Sequence, residues 1–275
     1  MYKLLALDLD ETLFNSQHKV SEKNKLAIAQ ARAKGVKIVP CSGRGPGFLG
    51  TLYDDLDIHK DNEYSILCNG AIVIENKSGN IISSSPLSYD KAVELFHFGI
   101  KKDLCVQVFT PEKIYVYKID ENERKRIQGF GDNIVFKDDL DTLCFKGKTI
   151  MKVLFERPNS LTYLRSLEAE LQPLTNHHIT ISFSSDRYLE LNALGVHKGT
   201  GLLALAKHLQ IDISQTIGVG DNYNDLGLIK DAGLGIAVQN AIDPIKNIAD
   251  VTTKATHNEN AIAEVIDDYI LNTKG

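Results

Sequence analysis

Residues 4–16 read LLALDLDETLFNS, and this stretch decides how the rest of the chain is understood. Leu4 to Leu9 is a short apolar run of the kind that forms a strand covered on both faces. Asp8 and Asp10 stand at its carboxyl end, two residues apart, so a strand that stays extended presents both carboxylates on one face. The carboxyl ends of parallel strands are where open α/β sheets take their ligands. Two adjacent carboxylates repel and are costly to bury unless a cation lies between them, and magnesium, a hard ion, prefers such oxygen ligands. Taken alone the pair carries little, because aspartate also terminates strands and caps turns.

Working outward, Ser21 to Lys34 reads as a helix capped by Ser21 and stopped by Gly35, and Val36 to Pro40 as a second strand. Pro46 to Leu56 is predicted to be helical. Ser65 to Cys68 is a further strand, and Asn69-Gly70 followed by the alternating Ala71 to Glu75 predicts a hairpin. Strands that alternate with helices predict a parallel, doubly wound, Rossmann-like α/β sheet. Beyond Ser85-Pro86 the rhythm changes: a helix from Asp90 to Lys102, then neighbouring strands at Cys105 to Phe109 and Ile114 to Tyr117, predict an antiparallel α+β unit. After Lys198 the first rhythm returns, with a helix to Leu209, a strand from Thr216 to Val219, a helix from Leu226 and a terminal helix from Glu259 to Leu271. The expected organisation is an α/β core formed by residues 1–83 and 189–275, interrupted by an α+β insertion over 84–188.

With 43% hydrophobic residues, 275 residues suffice for a substantial core and a second, smaller domain. The formal net charge of -5 leaves no dominant basic surface, which argues against nucleic acid as a partner. The insertion holds fifteen basic and fifteen acidic residues, so the whole deficit falls in the core. The start of the chain lacks the long apolar stretch and small-residue cleavage site of a secretion signal, and no run reaches membrane-spanning length. Cys41, Cys68, Cys105 and Cys144 lie far apart, as free thiols of a cytoplasmic protein would.

Three more stretches carry candidate chemistry. VPCSGRG, residues 39–45, ends the second strand in Ser42 and Gly43, which offer a hydroxyl and a backbone N–H to an anion, although such a pair is also an ordinary turn. GVHKG, residues 195–199, puts Lys198 at the start of a helix, where burial would require an anionic partner and exposure would require nothing. GVGDNYNDLGLI, residues 218–229, empties a strand into Asp221, Asn222, Asn224 and Asp225 before the next helix, which fits either a metal site or an elaborate cap. Four separate element ends thus each supply one part of a phosphoryl-transfer site: nucleophile and metal acids, hydroxyl donor, lysine, and metal-completing acids.

The order DLDETLFNS, CSGR, VHKG and GDNYND resembles the haloacid dehalogenase-like (HAD) phosphatase superfamily, and within it the Cof-type sugar phosphatases, over nearly the whole chain. The later stretches AGLGIAVQNA and NENAIAEVI are similar to that family's closing landmarks. The resemblance implies a HAD core with an inserted cap domain, magnesium as cofactor, and hydrolysis of a small phosphorylated metabolite through an aspartyl-phosphate. It makes Asp8 the nucleophile and Asp10 the general acid and then base, with Lys198 beside them. Leu9 through its backbone N–H, Ser42, Gly43, Lys198 and Asn224 would hold the phosphoryl group, and Asp8, Asp10 and Asp221 the metal. Asp225 would orient metal-bound water or Lys198, and Asn69, in CNGA, would lie near the substrate. Glu11 departs from the pattern, standing where the family has a small or shorter acidic residue. A phosphomutase, a phosphorylatable receiver module and a silent ligand-binding relative are the alternatives. Within the insertion, Arg187 and Tyr188 of SSDRYLEL are the candidate specificity residues, and His177 and His178 are assigned to a surface loop.

Overall fold

β1 (Leu4–Leu7) has no solvent-exposed residue, as a strand covered on both faces requires. In the computed structural model, which describes residues 1–272, it is followed by β2 (Lys37–Pro40), and then by β3 (Tyr64–Leu67), β4 (Ile72–Glu75) and β5 (Ile81–Ser84). The strands β6 (Cys105–Phe109), β7 (Ile114–Tyr117), β8 (Ile134–Lys137), β9 (Lys152–Glu156), β10 (Ile179–Ser184) and β11 (Tyr188–Ala193) come next. β12 (Thr216–Gly220), β13 (Leu234–Ala237) and β14 (Val251–Thr252) complete the set.

The chain divides into two units. The first comprises Met1–Gly43, Thr51–Ser83 and the residues from His197 onward; the second comprises Arg44–Gly50 and Ser84–Val196. In the first unit β14, β13, β12, β1 and β2 lie in that order in one sheet, every pair parallel. Leu4 and Ala6 point to one face, where they pack with Leu202, Leu205 and Leu228 from the helices Lys198–His208 and Leu226–Asp231. Leu5 and Leu7 alternate to the other face and are equally buried. Helix Glu22–Ala33 packs against β2 and against helix Ala261–Ile266. Its start is fixed by Ser21, whose Oγ accepts from Asn24 N–H, and Asn24 Oδ1 accepts from Ala263 N–H at 3.0 Å. β3 and β4 form the expected hairpin, and Cys41 extends β2 by a parallel bridge to Ile66 of β3.

The second unit is a six-stranded sheet ordered β10-β11-β9-β6-β7-β8, antiparallel except where β7 meets β8. Its two faces differ. Val106, Val108, Val153, Phe155, Leu189 and Leu191 share one face and pack with Leu95 and Phe96 of helix Tyr89–Lys101. On the opposite face the registers align Gln107, Lys152, Glu156, Glu190 and Asn192, all buried and all polar.

Two expectations change. The helix predicted over Pro46 to Leu56 shrinks to Leu52–Asp55, because Gly47 and Gly50 adopt left-handed φ of 79° and 58°, which no helix admits. The second unit runs to Val196, not to Tyr188, because β11 pairs with both β10 and β9, and a boundary cannot separate the two strands of a hairpin. Among the described residues no helix is long and apolar enough to cross a membrane. All four cysteines are free thiols.

Candidate active site

β1, β2 and β12 end side by side, which brings together segments distant in sequence. The Asp8 N–H donates to Val219 O at 3.0 Å, tying the end of β1 to β12. Ser42 N–H donates to Ile66 O and Asn69 N–H donates to Ser42 O, so the backbone of CSGR is tied to the β3–β4 turn that carries Asn69. Ser42 and Asn69 are both buried.

Lys198 is 0% exposed, and its Nζ donates to Asp8 Oδ1 and to Asp225 Oδ1, each at 2.5 Å. The anionic partner that burial required is therefore present twice. Burial alone pulls this ammonium's pKa down, but Asp225 and Asp8 outweigh it and hold it well above the ordinary lysine value. Asp225 also braces the loop through its other oxygen, Oδ2, which accepts from the N–H groups of Asp221 and Asn222 at 3.0 and 3.1 Å. The GDNYND loop is thus both a cap and a charge site, with one carboxylate serving both. Gly220 makes room for it, since a Cβ there would stand 2.5 Å from the Asp225 side chain.

Asp8, Asp221 and Asp225 are buried with carboxylate oxygens within 4.8 Å of one another. Burial, then the charge of Asp225, raises Asp8 to about 7 against the lowering pull of Lys198. Burial, then Asp8 and Asp225, lifts Asp221 well above the carboxylate range. Together with burial, the excess of three carboxylates over one ammonium raises Asp8 and Asp221, and their oxygens are the donors a hard divalent cation takes. The donor set fits magnesium.

Asp10 does not bring its carboxylate into that trio. The strand stops at Leu7; Asp10 keeps extended dihedrals but Glu11 turns left-handed with a φ of 61°, and the half-exposed Asp10 carboxylate lies 3.9 Å from His18 Nδ1. Glu11 itself is exposed at its side chain, and its carbonyl accepts from Asn240 Nδ2 at 2.8 Å. The left-handed backbone gives a physical reason to prefer a small residue there. Leu9 is buried directly after Asp8, Gly43 is the last residue before the chain enters the second unit, and Asn224 sits in the short turn Tyr223–Asp225.

Arg187 and Tyr188 lie in the second unit, where both donate to the fully buried Glu123: Arg187 Nη1 to Oε2 at 3.3 Å and the Tyr188 hydroxyl to Oε1 at 2.8 Å. His177 and His178 are exposed, as expected of a loop. Sequence reasoning missed Thr12, whose buried Oγ1 donates to Asp221 Oδ1 at 2.9 Å. The available signal was a hydroxyl residue close behind the two acids in DLDET. Asn240 was also missed, although it stands within AGLGIAVQNA.

A sequence description of the haloacid dehalogenase-like hydrolases matches residues 5–266. The phosphatase YwpJ of Bacillus subtilis (strain 168) is 28% identical, over 96% of this chain and 98% of its own. The 5-amino-6-(5-phospho-D-ribitylamino)uracil phosphatase YcsE of the same organism is also 28% identical, over 98% and 96%. A crystal structure of a haloacid dehalogenase-like hydrolase from Bacteroides thetaiotaomicron superposes with a TM-score of 0.83 at 27% identity, covering 97% of this chain and 99% of that one.

Proposed function

The chain belongs to the haloacid dehalogenase-like hydrolase family, and from that premise we propose that it is a magnesium-dependent phosphomonoesterase that moves the phosphoryl group of a small metabolite, a sugar phosphate or similar, onto Asp8. That it is a phosphatase accords with the family and with the activity named for its relatives. The observation that carries the mechanism is the buried ammonium of Lys198, held at 2.5 Å from both Asp8 and Asp225.

In this mechanism an Asp8 oxygen attacks phosphorus, and the leaving oxygen departs with a proton from Asp10. Lys198, Ser42, Gly43, Asn224 and the N–H of Leu9 hold the phosphoryl oxygens, neutralising charge as the bond to the leaving group breaks. Asp10, now a carboxylate, takes a proton from the water that attacks the aspartyl-phosphate; inorganic phosphate leaves and Asp8 is restored. Asp8 and Asp221, with Asp10 close by in sequence, would hold magnesium. Bound there, the ion supplies positive charge that keeps Asp8 ionised and screens the substrate's phosphate. Thr12 keeps Asp221 oriented through its hydroxyl. None of the four motifs lies within residues 84–188, so the insertion takes no part in the phosphoryl transfer itself.

Asp8→Asn tests the mechanism. The variant keeps the fold and loses hydrolysis of an aryl phosphate by roughly 10⁴-fold or more, since a carboxamide is a far poorer nucleophile and metal ligand. Hydrolysis near the parent's rate would overturn it.

A further inference from the structure

Lys198 opens the helix Lys198–His208 and Asp225 precedes the helix Leu226–Asp231, so their 2.5 Å contact depends on how the starts of two helices are held together. Between those starts lies His197. Its backbone has the extended conformation of a cap, with φ -154° and ψ 169°. Its Nδ1 accepts from Thr200 N–H at 3.3 Å, and Thr200 Oγ1 accepts from His197 N–H at 3.1 Å. Serine, threonine, aspartate or asparagine caps a helix with a shorter side chain, so capping alone does not call for an imidazole.

The ring reaches farther than a cap needs. A Cβ at Gly227 would stand 2.2 Å from His197 Nδ1 and 2.7 Å from its Cγ, so the imidazole lies directly on the backbone of the second helix. Asp231 Oδ2, on that same helix, is 3.6 Å from Nδ1. Gly199 closes the seam from the first helix: a Cβ there would stand 2.3 Å from both Asp231 Oδ2 and Gly227 O. The two helices therefore approach as closely as bare backbone permits, with one imidazole as the spacer between them.

We propose that His197 is a positioning residue for the phosphatase reaction: its ring, seated on Gly227, fixes the helix that begins with Lys198 against the helix that follows Asp225, and so sets the Lys198 ammonium between Asp8 and Asp225. Its effect on turnover rests on the function proposed above; the seating of Lys198 does not. Side-chain groups displaced by a fraction of an ångström lose alignment with the reacting atoms without losing their charge.

His197→Asn keeps an oxygen for the Thr200 N–H and removes the ring. It still folds, with a small drop in melting temperature, but hydrolyses p-nitrophenyl phosphate, with magnesium present, at a kcat lowered roughly ten- to a hundredfold and a KM little changed. Gly227→Ala, whose methyl takes the ring's place, gives the same split, and combining the two substitutions costs less than the product of the separate losses. Turnover by His197→Asn at the parent's kcat, or separate losses that multiply as independent ones, would overturn the proposal. A stability cycle pairing His197→Asn with Asp225→Asn needs no activity. Its double variant shifts the urea midpoint by less than the sum of the single shifts, and additive shifts would also overturn the proposal. If the parent itself does not hydrolyse the ester, the phosphatase function falls and the cycle alone decides how Lys198 is seated.

Discussion

At the ends of β1 and β12 three buried carboxylates face a single ammonium, whereas across β6, β9 and β11 two buried glutamates, Glu123 and Glu156, face Arg187. In the first cluster every charged member stands at an element end, and burial with mutual repulsion raises both Asp8 and Asp221. In the second, Glu123 accepts from Gln107, Tyr188 and Arg187, and Glu156 is raised to about 7 by burial, then by Glu123 and Asp120, against the pull of Arg187 and Arg126. The second excess is met by holding a proton near neutral pH. Similar side chains, buried to a similar degree, therefore differ in how closely their oxygens gather. Either cluster can relieve its excess with a proton, but among the described residues only the first also gathers three carboxylates within 4.8 Å of one another, the donor set a divalent cation takes.

The widest difference between the clusters lies in their response to magnesium. Saturating magnesium raises the parent's melting temperature, by about 2.7 kcal/mol of stability at a hundred times the dissociation constant, while Asp221→Asn loses both that gain and the activity. A parent whose melting is indifferent to magnesium and to chelator would break the contrast. Of comparable size is Glu123→Ala, which leaves Arg187, Tyr188 and Gln107 without their shared acceptor and costs about 2–3 kcal/mol in urea unfolding, with no change in the response to magnesium.

Glu156 sharpens the comparison through pH. Its folded pKa of about 7 stands above the ordinary 4.5, so the folded state binds this proton more tightly. Its contribution to stability is whole below pH 4.5 and is lost as pH rises toward 7. Glu156→Gln removes that slope and gains about 1–2 kcal/mol at pH 8 relative to the parent, after allowance for screening. A parent whose unfolding energy is level across this window would show that the second cluster is settled by Arg187 and Arg126 without a proton. The smallest effect concerns backbone, not charge: Glu11→Gly relieves the left-handed residue beside the site and changes stability by no more than about 1 kcal/mol, in the stabilising direction. A loss on that substitution would mean that the bond from Asn240 to the Glu11 carbonyl already compensates the strain.

These clusters were unequally legible. Asp8, Lys198, Asp221 and Asp225 each follow or begin a regular element, so the apolar runs of β1 and β12 announce where their neighbours will converge. The exchange of Asp225 for Asp10 in the carboxylate trio was not legible, because it depends on where β1 stops and on a turn at Glu11 that no hydropathy pattern encodes. Nor was the Glu123 cluster, whose members come from a helix and three strands related only by sheet register. The limit set at Tyr188 failed for a local reason: Ser185 and Asp186 adopt left-handed φ of 52° and 56°, and a polar turn of that kind marks a hairpin as readily as a domain edge. The helix expected from Pro46 failed for a similar cause, two glycines whose conformational freedom was taken as tolerance within a helix.

The sheet order has a consequence for how the chain acquires its structure during synthesis. β1 lies between β2 and β12, with Leu4 opposite both Lys37 and Thr216. When the ribosome has made the first two hundred residues or so, the central strand still has one open edge, and Lys198 has only begun the helix that buries it. All but a seven-residue segment of the second unit is continuous, from Ser84 to Val196, so it has its full sheet available first. The nascent protein thus carries a complete insertion on an unfinished host, and an exposed apolar strand waits for a partner more than two hundred residues downstream. Chaperone dependence and early aggregation should accordingly follow the emergence of β12, and not the length of chain already made.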